Sequence, residues 1–422
     1  ITTTTTITIT TTTTTKLLRR LSRPVAPGMR GMTQQPPKRQ RTGTGKPFRL
    51  VNKLFDGKID IIGDVHGEAG ALTTLLDRLG YDGRGNHPEG RKLVFVGDLV
   101  DRGPNSVAVV DLVKSFVHAG NAQMVLGNHE LNILRGKRKH GNHWFYGKPE
   151  VIRKDRGGIS FQVLAPSDSW RESTLAFFRE QPLILERKDL TVVHAAIVDS
   201  SLGQLKAWDE ESLRREKEST GGKAIQSLNS KKQNKEIALQ PRGVVAAFEH
   251  FKLKTEEKIK KLMASSSEEQ DSIETKIALS LIDQNENPVK VASSGLEKKA
   301  KEKYFAGGKW RVVEREQWWE NYKGEAMVVI GHYWRRFAPP NPKLVEGFTP
   351  SGENPFRGVG DFAVAGGGGG VMCVDYSVGI RYEERGKGWS PGSMGTGLAA
   401  FRLPESVLYF DDGRTEKVVQ KH

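Results

Sequence analysis

The chain reads as an α/β protein organised on a buried parallel sheet, and three observations predict it. Three short apolar runs, Ile59-Asp60-Ile61-Ile62, Leu93-Val94-Phe95-Val96 and Met124-Val125-Leu126, are each closed by glycine, the pattern of strands covered on both faces. Asp64 to Asp98 is 34 residues and Asp98 to Asn128 is 30, close to the roughly 30 residues of a strand, crossover helix and parallel strand. Each interval also holds one helical stripe, Leu72, Leu75, Leu76 and Leu79 before Gly80, then Val107, Val110, Val113 and Val117 before Gly120.

Two successive right-handed crossovers would gather the loops after these strands at one edge, the carboxyl-end edge where open α/β sheets place their sites. Residues 135–158, rich in Arg, Lys, His, Gly and aromatics without a steady period, read as a long loop forming a lid over that edge, with His140, His143 and Trp144 on its surface. A capped helix over 169–180 follows, then two apolar strands, 183–185 and 190–193, the second ending in His194. From 210 to 303 Lys, Glu, Ser, Gln and Asn dominate, which predicts an insertion of charged helices with disordered joints. Regular structure resumes at Trp318-Trp319, read as core, and Met327-Val328-Val329-Ile330 leads into Gly331-His332. The glycine-rich run ending at Gly370 lacks the Lys and Ser/Thr of a nucleotide-binding loop and reads as a flexible connection, with further strands at 371–375 and 398–402.

With 422 residues, 36% of them hydrophobic, the chain is long enough to bury a sizeable core. Residues 1–55 carry eleven Lys or Arg and no acid, so of the formal charge of +15 only about four units belong to the remainder. A region this near neutrality argues against nucleic acid as the main partner, which needs a basic face. The Thr-rich start begins at Ile1, with Met29 and Met32 close behind, and reads as a disordered low-complexity tail, an extended reading frame or a processed leader. Its acid-free Leu17-Leu18-Arg19-Arg20-Leu21 segment has the character of an organelle transit peptide, the alternative to a cytoplasmic location; Lys38-Arg39-Gln40-Arg41 reads as a solvated basic linker. Cys373 is the single cysteine, so no intrachain disulfide forms and a reducing compartment is compatible. No stretch reaches the roughly 18 apolar residues of a membrane span, so a soluble protein is expected. The organisation is thus 1–55 as tail, 56–410 as the folded domain interrupted by 210–303, and 411–422 as a second tail.

Chemistry enters at the strand ends. Asp64, His66, Asp98, Asn128, His194 and His332 lie just after apolar runs and together offer the carboxylate, imidazole and amide oxygen that hard or borderline divalent cations take. Asp98, central in the set, is the natural bridge between two cations held roughly 3.5–4 Å apart, a pair that lowers the pKa of a water for in-line attack on phosphorus. Asn128 suits a cation or substrate ligand that stays neutral at every pH. His129 follows it directly and is placed to protonate a leaving oxygen as general acid, with Asp101 orienting its ring. Arg102 offers a planar two-pronged donor to phosphate oxygens. Glu130 reads as the cap of the following helix. Each group alone has a structural explanation, but five ligand-rich segments in order favour a two-metal site.

The segments Gly63-Asp64-Val65-His66-Gly67, Gly97-Asp98-Leu99-Val100-Asp101-Arg102-Gly103 and Gly127-Asn128-His129-Glu130 resemble those of the calcineurin-like metallophosphoesterases, the last two pointing to the phosphoprotein phosphatase branch. The resemblance covers residues 60–196 and 328–402. It implies two packed mixed β-sheets flanked by helices, with Asp64, His66 and Asp98 holding one metal and Asp98, Asn128, His194 and His332 the other. His129 with Asp101 is similar to the family's acid dyad, and Arg102 to its phosphate-binding arginine. The run from His87 to Asn132 is especially similar to bacterial-type members, including symmetrical dinucleoside tetraphosphatases and small protein phosphatases. His194-Ala195-Ala196 replaces the usual His-Gly-Gly or His-Ala-Gly, and Gly331-His332-Tyr333-Trp334 lacks the second His of the nucleases. The expected function is metal-dependent hydrolysis of phosphoester bonds in a phosphorylated small molecule, nucleotide or phosphoprotein. Two divalent cations are implied, Mn first, with Fe, Zn or Mg as alternatives. A non-catalytic metal-binding scaffold and a nuclease or phosphodiesterase are the competing readings.

Overall fold

The glycine-closed runs are the parallel strands they predict. The computed structural model describes residues 48–139, 141–148, 150–152, 159–161, 165–221, 243–265, 272–306, 309–339, 355–356 and 358–419; the expected leader and basic linker lie outside the described residues. In chain order the elements are β1 (Val51–Lys53), β2 (Ile59–Ile62), α1 (Ala69–Leu79), β3 (Lys92–Phe95), α2 (Ser106–His118), β4 (Ala122–Met124), α3 (Asn128–Leu134), β5 (Glu150–Ile152), β6 (Ile159–Phe161), α4 (Asp168–Arg179), β7 (Ile184–Arg187) and β8 (Leu190–Val193). There follow α5 (Asp199–Gly221), α6 (Val244–Ser265), α7 (Ile273–Asn285), α8 (Pro288–Ser294), β9 (Glu297–Ala306), β10 (Lys309–Arg315), β11 (Met327–Ile330), β12 (Val371–Cys373), β13 (Asp375–Tyr376), α9 (Arg381–Gly386), β14 (Gly397–Leu403), β15 (Val407–Phe410) and β16 (Thr415–Lys417).

The leucine stripe is the buried face of α1, with Leu72, Leu75, Leu76 and Leu79 turned inward and the helix ending at Gly80; each buried leucine contributes about 1.5–3 kcal/mol. Helix α2 starts where the Asn105 side chain accepts from the Ala108 amide, and it buries Val109, Val110, Val113 and Phe116. The valine stripe therefore faces inward through its middle members, while Val107 and Val117 are only half-buried.

One sheet runs β16-β15-β14-β2-β3-β4 with β13 on β14; β2, β3 and β4 are parallel and β14 lies antiparallel to β2. The other runs β1-β7-β8-β11-β12, with β8, β11 and β12 parallel and β7 antiparallel to β8. Both sheets are mixed, as the resemblance implies. Strand alternation then explains the unbroken apolar runs. Ile59, Ile61, Val94 and Val96 meet Leu185, Val192, Val329 and Met372 between the sheets, whereas Ile62, Leu93 and Phe95 share a core with the buried faces of α1 and α2. The buried Asp60 is held by Arg91, Arg402 and the Tyr81 hydroxyl.

Several expectations are corrected. Residues 135–158 are not a featureless loop: buried Trp144 and Phe145 anchor a 3-10 turn at His143–Tyr146, and β5 pairs with β6 beyond it. The helices expected of the charged segment form, as α5 to α8, but they join the main core through Val244, Ala247, Phe248, Val289, Val291 and Ala292, because the few apolar residues share faces that composition averages away. Asp209 of α5 even accepts the Leu50 and Val51 amides at the start of β1, so the tail's last residues are structured, as are Thr415–Lys417 of β16. Regular structure also precedes Trp318, in the β9–β10 hairpin. The glycine-rich run is tied down by backbone bonds, such as Gly369 N–H to the Gly324 carbonyl at 2.8 Å. Among the described residues no helix is long and apolar enough to cross a membrane.

Candidate active site

Five loops bring the predicted residues together. Asp64 and His66 follow β2; Asp98, Asp101 and Arg102 follow β3; Asn128 and His129 open α3 after β4; His194 follows β8 and His332 follows β11. Three loops thus come from one sheet and two from the other. Close approach depends on glycine: a Cβ on Gly127 would lie 2.1 Å from Asp98 Oδ1, and one on Gly331 2.0 Å from Asp64 Oδ1. Among the described residues eight non-glycine residues have positive φ, and His66, Asp98, Asp101, Arg102 and His332 are five of them, so backbone strain is concentrated where these loops meet.

Asp98 stands at the centre. Its Oδ2 lies 3.8 Å from both His66 Nε2 and His129 Nε2 and 3.4 Å from His194 Nε2, while Oδ1 accepts the His129 amide at 3.0 Å. Donor atoms of Asp98, His194 and His332 lie within 4.8 Å of one another, as do those of His66, Asp98 and His129. Asp64 Oδ2 is 3.9 Å from His66 Nε2 and accepts the His332 amide at 3.1 Å. His66 Nδ1 sits 3.0 Å from the Val100 carbonyl and His194 Nδ1 2.8 Å from that of Val96; each contact places the proton on Nδ1 and turns the Nε2 lone pair inward.

The donor set fits divalent cations. His194 Nε2, His332 Nε2 and Asn128 Oδ1 are buried without hydrogen-bond partners, a costly condition for polar atoms unless something binds them. With two carboxylates beside them they offer the oxygen and nitrogen mix such ions take.

Beside this cluster, His129 Nδ1 lies 2.5 Å from Asp101 Oδ2, and Arg102 presents a terminal nitrogen 3.3 Å from His129 Nε2. The other terminal nitrogen of Arg102, Nη1, is buried without a partner. Four contributions escaped sequence reasoning. Trp144, expected on the lid surface, is 2% exposed and donates its indole N–H to Asp101 Oδ1 at 2.7 Å; the neighbouring His140 lies outside the described residues. Trp334 stacks on Arg102. Glu130 accepts the Gly127 amide as the expected cap, and also those of Asp98 and Leu99. Asp375, buried, accepts the Trp334 and Ser377 amides. Only Asp375 carried a usable signal, since it too follows an apolar strand.

Burial, the largest influence, pushes Asp64 well above the usual carboxylate range, with the Asp375 and Asp98 charges adding to it. Burial also raises Asp375 and, with the Asp98 charge, pushes Glu130 up to about 7. Burial would raise Asp98 as well, but the imidazoles of His194 and His129 hold it well below the usual range. Conversely, burial disfavours charge on His129 and His194, yet the Asp98 carboxylate, joined at His129 by the Asp101 hydrogen bond, raises both. Burial lowers His66 and His332 well below the imidazole norm, with Arg102 and Arg315 respectively adding to it. Both are thereby kept neutral, the ligating form.

Two packed mixed sheets with a His/Asp cluster at their strand ends define a metallophosphoesterase-type fold and site. The family description calcineurin-like phosphoesterase matches residues 57–267, half of the chain, and the chain belongs to that family. Among curated relatives, the bis(5'-nucleosyl)-tetraphosphatase PrpE [asymmetrical] of Halalkalibacterium halodurans is 35% identical over 155 residues, 35% of this chain and 60% of the relative. The protein of that name from Bacillus subtilis is 35% identical over 156 residues, 34% of this chain and 60% of the relative. The chain therefore spans about 60% of the length of these relatives. A solved cold-active protein-tyrosine phosphatase of a Shewanella species aligns over 88% of this chain and 82% of its own, at 15% identity and a TM-score of 0.40.

Proposed function

We propose that this chain is a metal-dependent hydrolase of phosphoester and phosphoanhydride bonds, with a dinucleoside polyphosphate as first candidate substrate and phosphomonoesters or phosphoproteins after it. In this reading Asp64, His66 and Asp98 hold one divalent cation, and Asp98, Asn128, His194 and His332 the other, with Mn the first candidate and Fe, Zn or Mg the alternatives. When bound, such cations supply Lewis acidity and lower the pKa of a water for in-line attack. Arg102 binds non-bridging phosphate oxygens through its unpartnered nitrogen, fixing the phosphorus beside His129. His129 gives its Nε2 proton to the leaving oxygen as that oxygen departs with the bonding electron pair. Asp101 holds the ring through Nδ1 and stabilises its charged form.

The observation that carries the reading is the convergence of three orphaned buried donors with the His129–Asp101 pair, 2.5 Å apart, at a single edge. The names of the curated relatives support the nucleotide as substrate class. The test is a panel of diadenosine tetraphosphate, p-nitrophenyl phosphate, a phosphopeptide and single-stranded DNA, offered to purified protein with each metal in turn. Hydrolysis of the first is expected, and a triphosphate-plus-monophosphate product pair would mark asymmetrical cleavage. No turnover with any metal would favour the scaffold reading; cleavage of DNA alone would make it a nuclease.

A further inference from the structure

We propose that Trp144 is a positioning residue for the general acid, acting through Asp101; this rests on the reading of His129 as that acid. Asp101 is 1% exposed and its two carboxylate oxygens have separate partners. Oδ2 faces His129 Nδ1 at 2.5 Å, and Oδ1 accepts the Trp144 indole N–H at 2.7 Å. A carboxylate turns about a broad, nearly two-fold torsion, so one hydrogen bond leaves its plane loose. A second donor on the opposite oxygen fixes that plane and with it the direction of Oδ2 toward the histidine. The backbone is already constrained, with Asp101 at φ 74° and its amide donating to Ser106 Oγ at 3.0 Å; the side-chain torsion is the freedom that remained.

Trp144 is itself rigid. It is 2% exposed, packs edge-on against Phe145 and Trp170 with centroids 5.6 and 6.1 Å away, and belongs to the short 3-10 turn at His143–Tyr146. An indole nitrogen can only donate, so it leaves Asp101 Oδ2 free to accept from His129 Nδ1 and never takes a proton from the pair. The segment read from sequence as a lid thus reaches the chemistry, two residues removed from the leaving group.

The test uses Trp144→Phe, which keeps a ring and removes the donor. An acid held out of line matters most when the leaving oxygen is basic. The full chain is therefore assayed with a series of aryl phosphates running from p-nitrophenyl to p-methoxyphenyl. We expect kcat to fall about ten- to a hundredfold on the most basic leaving group, by less than about threefold on p-nitrophenyl phosphate, and KM to hold. In a His129→Ala background the same substitution should add nothing. Asp111→Asn is the control: that carboxylate takes the Trp170 indole N–H at 2.7 Å, so the change alters a like contact without touching the ring packed on Trp144, and should leave the leaving-group slope unchanged.

A second readout needs no turnover. In ¹⁵N-labelled metal-free protein the indole cross-peak lost in Trp144→Phe should move in Asp101→Asn and stay in Asp111→Asn. A uniform loss across all leaving groups, no loss, or a cross-peak indifferent to Asp101→Asn would overturn the proposal while the wild type still hydrolyses the series. A wild type inactive on every member would instead defeat the hydrolase reading itself, and this inference with it.

Discussion

The Arg102 guanidinium lies over the Trp334 indole, its central carbon 4.0 Å from the ring centroid, and the Trp334 amide is tied to Asp375 Oδ2 at 2.8 Å. The ring takes one face of the guanidinium and leaves the buried Nη1 without a partner; in the proposed reading that nitrogen takes a phosphate oxygen. A desolvated cation–π contact is worth about 2 kcal/mol, and lysine reproduces neither the stack nor the fork. Arg102→Lys is therefore expected to raise KM for a phosphoester about tenfold or more with metal content unchanged. Steady-state kinetics beside metal analysis would show it, and an unaltered KM would remove Arg102 from substrate binding.

Asp98 faces three imidazole nitrogens within 3.8 Å through a single oxygen. Asp98→Asn removes the one charge shared by both donor groups, so bound metal should fall below that of the wild type. Turnover of p-nitrophenyl phosphate should drop about a thousandfold or more. Full metal content together with full turnover would contradict the shared-ligand role.

The chelated protein should lose stability as pH rises above the ordinary imidazole value, about 6.5. Asp64, Glu130, His129 and His194 all have raised values in the fold, so over that range the folded state binds more protons than the unfolded chain and deprotonation favours unfolding. The lowered His66 and His332 act only below the ordinary imidazole value, about 6.5. Divalent cation should abolish or reverse the decline, since it binds the deprotonated ligands. Thermal melts with EDTA and with Mn²⁺ across that range measure both effects; a chelated Tm that climbs with pH would refute the sign.

Asp60 is fully buried on β2, with Arg91 Nε at 3.2 Å, Arg402 Nε at 2.8 Å and the Tyr81 hydroxyl at 2.7 Å. Removing one cation strands part of a buried charge, so Arg91→Met should cost about 3–5 kcal/mol. The double variant Asp60→Asn, Arg91→Met should recover part of that loss. Urea midpoints for the single and double variants check this, and an unchanged midpoint in Arg91→Met would show the ion pair to be dispensable.

Sequence alone placed β2, β3, β4 and the two crossover helices, because glycine-closed apolar runs and leucine or valine spacing are local patterns. It also singled out the ligand-type residues, since Asp64, Asp98 and Asn128 stand at strand ends where chain spacing signals a shared edge. It missed the anchoring of 135–158 and the docking of the charged helices on the core for one physical reason. Trp144, Phe248 and Val291 stand in short apolar clusters within stretches that are charged on average, and composition weighs that average while packing rewards a few well-placed side chains.

What the amino-acid order determined, then, was the class of fold and the ordered set of donors, each written in a short window of residues. Tertiary structure alone decided that His194 and His332 of the second sheet meet Asp98 of the first. It also decided that the Trp144 indole donates to Asp101, that Trp334 stacks on Arg102, and that Asp375 holds the Trp334 amide. Such contacts join residues up to hundreds of positions apart. They are fixed by how two twisted sheets pack face to face, which no local periodicity records.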